Sequence, residues 1–323
     1  MRREAAVTGA GRGLPAAGFL LAIASAASFA LSGIFASALL SAGWSAGAAV
    51  TARITLAALV LAVPTVFVLR GRWSLVRAAW RPLLLFGLLA VAGCQLAFFL
   101  AVQFIPPSLA LLIEFLGPVV LMLWSWARTR VAPSGITLAG AGVAVLGLVA
   151  ISGVVTGGSL NPLGILFALI AAVGNAAYYA TGASADHGIP PLPFVGLGLG
   201  VGSIVLIVVS SVGLLPFAVT SEPAVIGGVG LPPWAAVAGM VLISTVLSYI
   251  LGVAASRRLG ATVASFTGYS EALFGIFWTI VLLAVIPSPM QWLGAALIVL
   301  GVIGVKIGEV VRERKTDPDM VDA

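Results

Sequence analysis

Three ionisable side chains, Arg53, Glu114 and Glu271, fall in the middle of long apolar runs, where a charged group is costly and therefore points to function. At a rise of 1.5 Å per residue each lies within roughly 6 Å of the centre of its own run. Left unpaired, the three would cost of order 8–10 kcal/mol in a bilayer. A carboxyl group can take up a proton and become neutral, whereas arginine stays charged and needs an anion, water or carbonyl oxygens. The chemistry this suggests is reversible binding. Glu114 and Glu271 would receive a cationic group or protons, and Arg53 would hold a carboxylate. The competing arrangement is an ion pair of Arg53 with one glutamate, stapling two helices. Asn175, Tyr178, Tyr249 and Tyr269 are further candidates for a binding cavity. Tyr179, Ser244, Thr245, Thr267, Ser270 and Gln95 are read first as helix-to-helix hydrogen bonds.

Other chemistry lacks its tools. The one histidine, His187, sits beside Asp186 in a Pro-rich connection, so Gly268-Tyr269-Ser270 has no base with which to form a serine nucleophile. No aspartate lies inside an apolar run, and the alternating glycines from Gly196 to Gly202 follow no strand. No phosphate-binding loop is present. The single cysteine, Cys94, can form neither an intrachain disulfide nor a thiolate metal cluster. No catalytic, cofactor or metal role is expected, and the net charge of +6 is not gathered as a nucleic-acid surface would require.

These residues need a membrane scaffold to position them. Of 323 residues, 61% are hydrophobic and 8% charged, a balance that excludes a water-soluble fold. Cutting the apolar runs at charges, Pro and Gly clusters predicts ten spans: 16–40, 44–69, 83–104, 106–126, 134–153, 162–182, 191–215, 234–255, 261–285 and 289–310. The expected fold is an all-α membrane protein. Arg2, Arg3, Arg12, Arg70, Arg72, Arg77, Arg81, Arg128, Arg130, Arg257, Arg258, Arg312, Arg314 and Lys315 all fall on one side of this count. That side is read as cytoplasmic, which puts both termini (1–15 and 311–323) there and the chain in the cell membrane. A cleaved signal peptide in place of span one fits less well, because the apolar stretch is too long. Lys306 and Glu309, in the last turns of span ten, are expected to reach the interface.

The chain also repeats itself. A shift of 154 residues aligns GAGVAVLG at 140–147 with GAALIVLG at 294–301, and pairs Ala110 with Ala264 and Trp124 with Trp278. A shift of 146 pairs Gly18, Ala22, Ala26 and Ala30 with Gly164, Ala168, Ala172 and Ala176. Five spans per copy is an odd number, so the second half (162–310) must enter the membrane opposite to the first (16–153). Such inverted repeats characterise transporters, with the solute between the halves.

The stretch FIPPSLALLIEFLGP at 104–118, with its EF-x-GP pattern, resembles the EamA-type family of the drug/metabolite transporter superfamily. So do RRLGATVASFTGYSEA at 257–272 and QWLGA at the start of span ten. The nearest likeness is the threonine/homoserine exporter branch. The resemblance implies a ten-helix, inverted-repeat carrier exporting small metabolites such as amino acids by alternating access. Two departures are Ala272, where the family usually has proline, and the lack of an acidic residue before span ten. The expectation is a secondary transporter in the lipid bilayer with a small-molecule substrate, and protons as the coupling ion. The alternatives are efflux of hydrophobic cations or drugs, and a non-transporting membrane scaffold. The oligomeric state is left open.

Overall fold

A computed structural model of the protein describes residues 14–105, 107–152, 161–184, 188–284 and 286–316. The termini, His187 and Asp186 lie outside them. The first half contains α1 (Leu14–Ser41), α2 (Ala46–Val68), α3 (Ser74–Ala78), α4 (Trp80–Leu85), a π-helical segment (Phe86–Gly93), α5 (Cys94–Ala101), α6 (Pro107–Glu114), α7 (Gly117–Thr129) and α8 (Gly135–Ser152). The second contains α9 (Pro162–Ala183), α10 (Pro191–Ser211), α11 (Pro233–Val241), a second π-helical segment (Leu242–Leu247), α12 (Ser248–Leu259), α13 (Ala261–Gly268), α14 (Ser270–Leu283) and α15 (Pro289–Thr316).

Several starts are set by proline. α6, α9, α10, α11 and α15 each begin on one, because a helix's first N–H has no intrahelical partner to lose and proline's φ is already helical. Among the described residues nine helical stretches are long and apolar enough to span a membrane. The fifth expected span appears as a shorter apolar helix, Gly135–Ala150, and the residues after Ser152 lie outside the described set.

The two spans that carry Glu114 and Glu271 are each broken beside that residue. Glu114 is the last residue of α6, ahead of Gly117-Pro118, where proline withdraws a backbone donor. Glu271 lies in the first turn of α14, directly after the joint at Tyr269. The second break forms without the family's usual proline.

Packing relates the halves by exchange. α2 packs on α10, α8 on α15, α1 on α12, and α9 on α5 and the first π-helical segment. Each pair is antiparallel: Gly140 approaches Gly304 and Val305, whereas Gly147 approaches Gly294 and Ile298. The repeated octapeptides thus lie against each other, and their glycines admit the facing backbone at van der Waals distance. The 154-residue shift carries the end of the first π-helical segment, Gly93, onto the end of the second, Leu247.

One feature lies outside the helical reading. Within the connection between α10 and α11, Ala224–Ile226 pairs antiparallel with Val229–Leu231 across Gly227-Gly228, both at positive φ. Just before it, residues 216–220 clamp the α1–α2 turn. Ser45 Oγ donates to Pro216 O (2.7 Å) and accepts from Ala218 N (2.9 Å) and Ala48 N (3.2 Å), and Trp44 Nε1 donates to Thr220 O (3.0 Å). Ser45→Ala removes an N-cap and this bridge. It is expected to cost about 1–2 kcal/mol, measured as a lower unfolding midpoint in detergent; an unchanged midpoint would mean the clamp is energetically neutral.

Candidate functional site

A narrow cleft opens where α1, α9, α12, α13 and α14 meet. Its free interior has room for about one water molecule, and its walls include Ser25, Phe29, Tyr178, Tyr179, Gly252 and Glu271. Local sequence builds these walls. Adjacent tyrosines on α9 point to different neighbours, and each hydroxyl seats on a glycine: Tyr178 on Gly252 and Tyr179 on Gly268. A β-carbon at either glycine would occupy the hydroxyl's place.

Rings close one side. Tyr178 and Tyr179 meet edge to face at 4.9 Å, Tyr178 and Tyr249 at 5.5 Å, and Phe29 and Tyr249 at 5.1 Å. Phe86, in the first π-helical segment, stands 5.7 Å from Tyr178. Edge-to-face contacts of this kind add packing energy and hold the rings in register. A carboxylate among aromatic faces can take a cationic group.

The other charges lie apart from this wall. Arg53 donates from Nη1 to Ser32 Oγ at 2.6 Å, while its Nε is buried without a partner. It forms no ion pair with either glutamate, so the expected alternative of a staple does not occur. Arg53, Glu114 and Glu271 nonetheless lie within electrostatic range of one another. Glu114 accepts a hydrogen bond from Cys94 Sγ at 3.3 Å, and the same thiol lies 3.4 Å from Ala171 O.

The remaining candidates scatter. Tyr249 is buried behind the cleft wall, packed on Phe29 and Tyr178, without lining the cleft, and Tyr269 is only 1% exposed and packs on Phe266 (5.5 Å) and Phe115 (6.4 Å), in a cluster separate from the cleft. Asn175 sits against Gly117, its Oδ1 without a partner. Ser244 and Thr267 hydroxyls donate to carbonyls one turn back, Met240 O and Val263 O, and Thr245 also reaches Met240 O. Those bonds are internal to their helices.

Glu309 departs from expectation. It is 6% exposed and faces a small pocket with Trp126 and Thr262 instead of reaching out to the interface. Lys306 lies over the Phe19 ring at 5.4 Å. Among the described residues no three His, Cys, Asp or Glu side chains gather as a metal site would need. Cys94, Ser25 and Ser32 were not singled out as site residues from the sequence. Their roles depend on contacts 20 or more residues away, for which hydropathy carries no signal.

Comparison with known proteins places this arrangement. The family model of EamA-like transporters matches residues 16–153 and again 162–307, one match in each half of the bundle. An uncharacterised inner membrane transporter, YicL, of Salmonella typhimurium is 28% identical over 241 residues, covering 72% of this chain and 75% of that protein. A solved crystal structure superposes with a TM-score of 0.68 at 19% identity, over 90% of this chain and 97% of that one, a likeness of fold. With both halves matched by the same model and apolar helices throughout, this multi-pass membrane protein belongs to the EamA-like transporter family.

Proposed function

We propose that the protein is a secondary transporter that exports small metabolites, amino acids or related compounds, by alternating access coupled to protons. The observation that carries this reading is the cleft bearing Glu271, with Glu114 and an unpaired Arg53 donor within electrostatic range. A solute with both an ammonium and a carboxylate could satisfy all three, offsetting the cost of keeping them inside a membrane. Antiparallel pairing of equivalent helices supports two exchangeable conformations, one open to each side. The arginine distribution favours cytoplasmic termini in the cell membrane. Threonine and homoserine head the solutes to be tried, because the EF-x-GP stretch ending in Pro118 resembles that exporter branch.

A second reading, efflux of hydrophobic cations, is favoured by the cleft lining itself, where Glu271 is accompanied by Phe29, Tyr178 and Tyr179 but not by Arg53. A scaffold has no use for such a lining. Purified protein screened against amino acids and cationic dyes is expected to gain thermal stability with zwitterions, by about 2.7 kcal/mol at one hundred times the dissociation constant. Stabilisation by dyes alone would transfer the assignment to the cation reading, and stabilisation by neither class would remove the transport site from this cleft.

A further inference from the structure

We propose that Cys94 is a positioning residue for Glu114, its single thiol proton shared between the Glu114 carboxylate and the Ala171 carbonyl, so that the charge on Glu114 sets how span three is tied to span six. The inference rests on the reading above, in which Glu114 changes charge during transport. Three observations support it. The thiol is 5% exposed, wedged against α9 where Gly174 leaves room for its β-carbon. Its sulfur lies 3.3 Å from Glu114 Oε1 and 3.4 Å from Ala171 O, both within reach of one S–H donor. Only one of these bonds can be made at full strength at a time, because a thiol has one proton.

The repeat supplies the third. Its two shifts carry Cys94 onto Ser248 and Ser25 onto Ala171, so the α5–α9 contact has a counterpart between α12 and α1. There Ser25 Oγ donates to Ser248 O at 2.8 Å, and the Ser248 hydroxyl bonds within its own helix to Ser244 O and Thr245 O. The second seam is closed by a hydroxyl bonded to a backbone carbonyl, in a cleft wall that also holds Glu271. The first is closed by a donor that a titrating carboxylate can draw away.

An ionised carboxylate is the stronger acceptor and pulls the thiol towards α6. When Glu114 gains a proton, the sulfur keeps its own and turns to Ala171 O, fastening α5 to α9. Other titratable groups within electrostatic range of this pair are Arg53 of α2, Tyr249 of α12 and Glu271 of α14.

The chain has one cysteine, so the full-length protein in lipid vesicles gives a single S–H stretching band in the infrared. That band is expected to move to higher frequency as pH falls, and in Glu114→Gln to sit at the high-frequency position at every pH. In transport assays Cys94→Ala is expected to shift the pH profile, with Cys94→Ser restoring it. A wild-type band that ignores pH, or one identical in Glu114→Gln, overturns the proposal. Transport lost in Glu114→Gln with an unmoved band defeats this inference alone. A band that moves while Glu114→Gln transports normally defeats the transport role of Glu114 and leaves the thiol contact standing.

Discussion

Replacing Glu271 by glutamine is expected to lower transport by about 10- to 100-fold, because a hydrogen bond to a charged group contributes roughly 1.5–3 kcal/mol. The side chain keeps its size and one acceptor oxygen but can no longer carry charge. Glu271 stands on the cleft wall in the first turn of α14, where the helix N-terminus presents its partial positive end. Folding should survive the change, so the unfolding midpoint in detergent is expected to stay near that of the unmodified protein. Solute flux into sealed vesicles, at saturating and subsaturating concentration, is the measurement. Undiminished affinity and turnover would remove Glu271 from the binding site. Flux unaffected by collapsing the proton gradient would separately remove the coupling ion.

Introducing leucine at Gly301 is expected to be the most damaging change in the scaffold. A β-carbon there would come within 2.6–2.7 Å of Ala144 Cβ and Cα, and closer still to its backbone nitrogen, in the seam between α8 and α15. Backbone cannot move aside as a flexible side chain can, so the two helices must separate. Overpacking of this kind costs about 1–3 kcal/mol or more, and this seam joins the last helices of the two halves. Gly142→Leu provides the control on the same pair of helices, since a β-carbon at Gly142 meets nothing within 4 Å. Gly301→Leu should lower the unfolding midpoint and the yield of monodisperse protein, and Gly142→Leu should change neither. Equal midpoints for the two would mean that the repeated octapeptides do not form the close contact described.

The sequence was informative wherever the deciding force acts along the chain. Long apolar runs mark the spans because backbone polar groups in lipid must be satisfied within a helix, and prolines mark several starts because a first turn has no donor to spare. The 154-residue repeat marked the two octapeptides, which the structure brings together in the α8–α15 seam, and it also superposes the ends of the two π-helical segments. The mid-run depth of Arg53, Glu114 and Glu271 was readable by counting residues. The family match over both halves agrees with the motifs that carried the resemblance.

Lateral neighbours were decided by tertiary structure alone. Successive residues on a helix point about 100° apart, so a small rotation or a break redirects a side chain without altering its depth. Tyr178 and Tyr269 looked alike in the sequence, yet the first faces the cleft and the second is sealed in a separate cluster because α13 ends beside it. Arg53 found Ser32 and not a glutamate, Glu309 turned inward, and Cys94 came to rest on Glu114. Hydropathy fixed where along its own apolar run each group lies; contact between helices far apart in the chain fixed which of them meet, because only that contact sets the rotation of each helix about its axis.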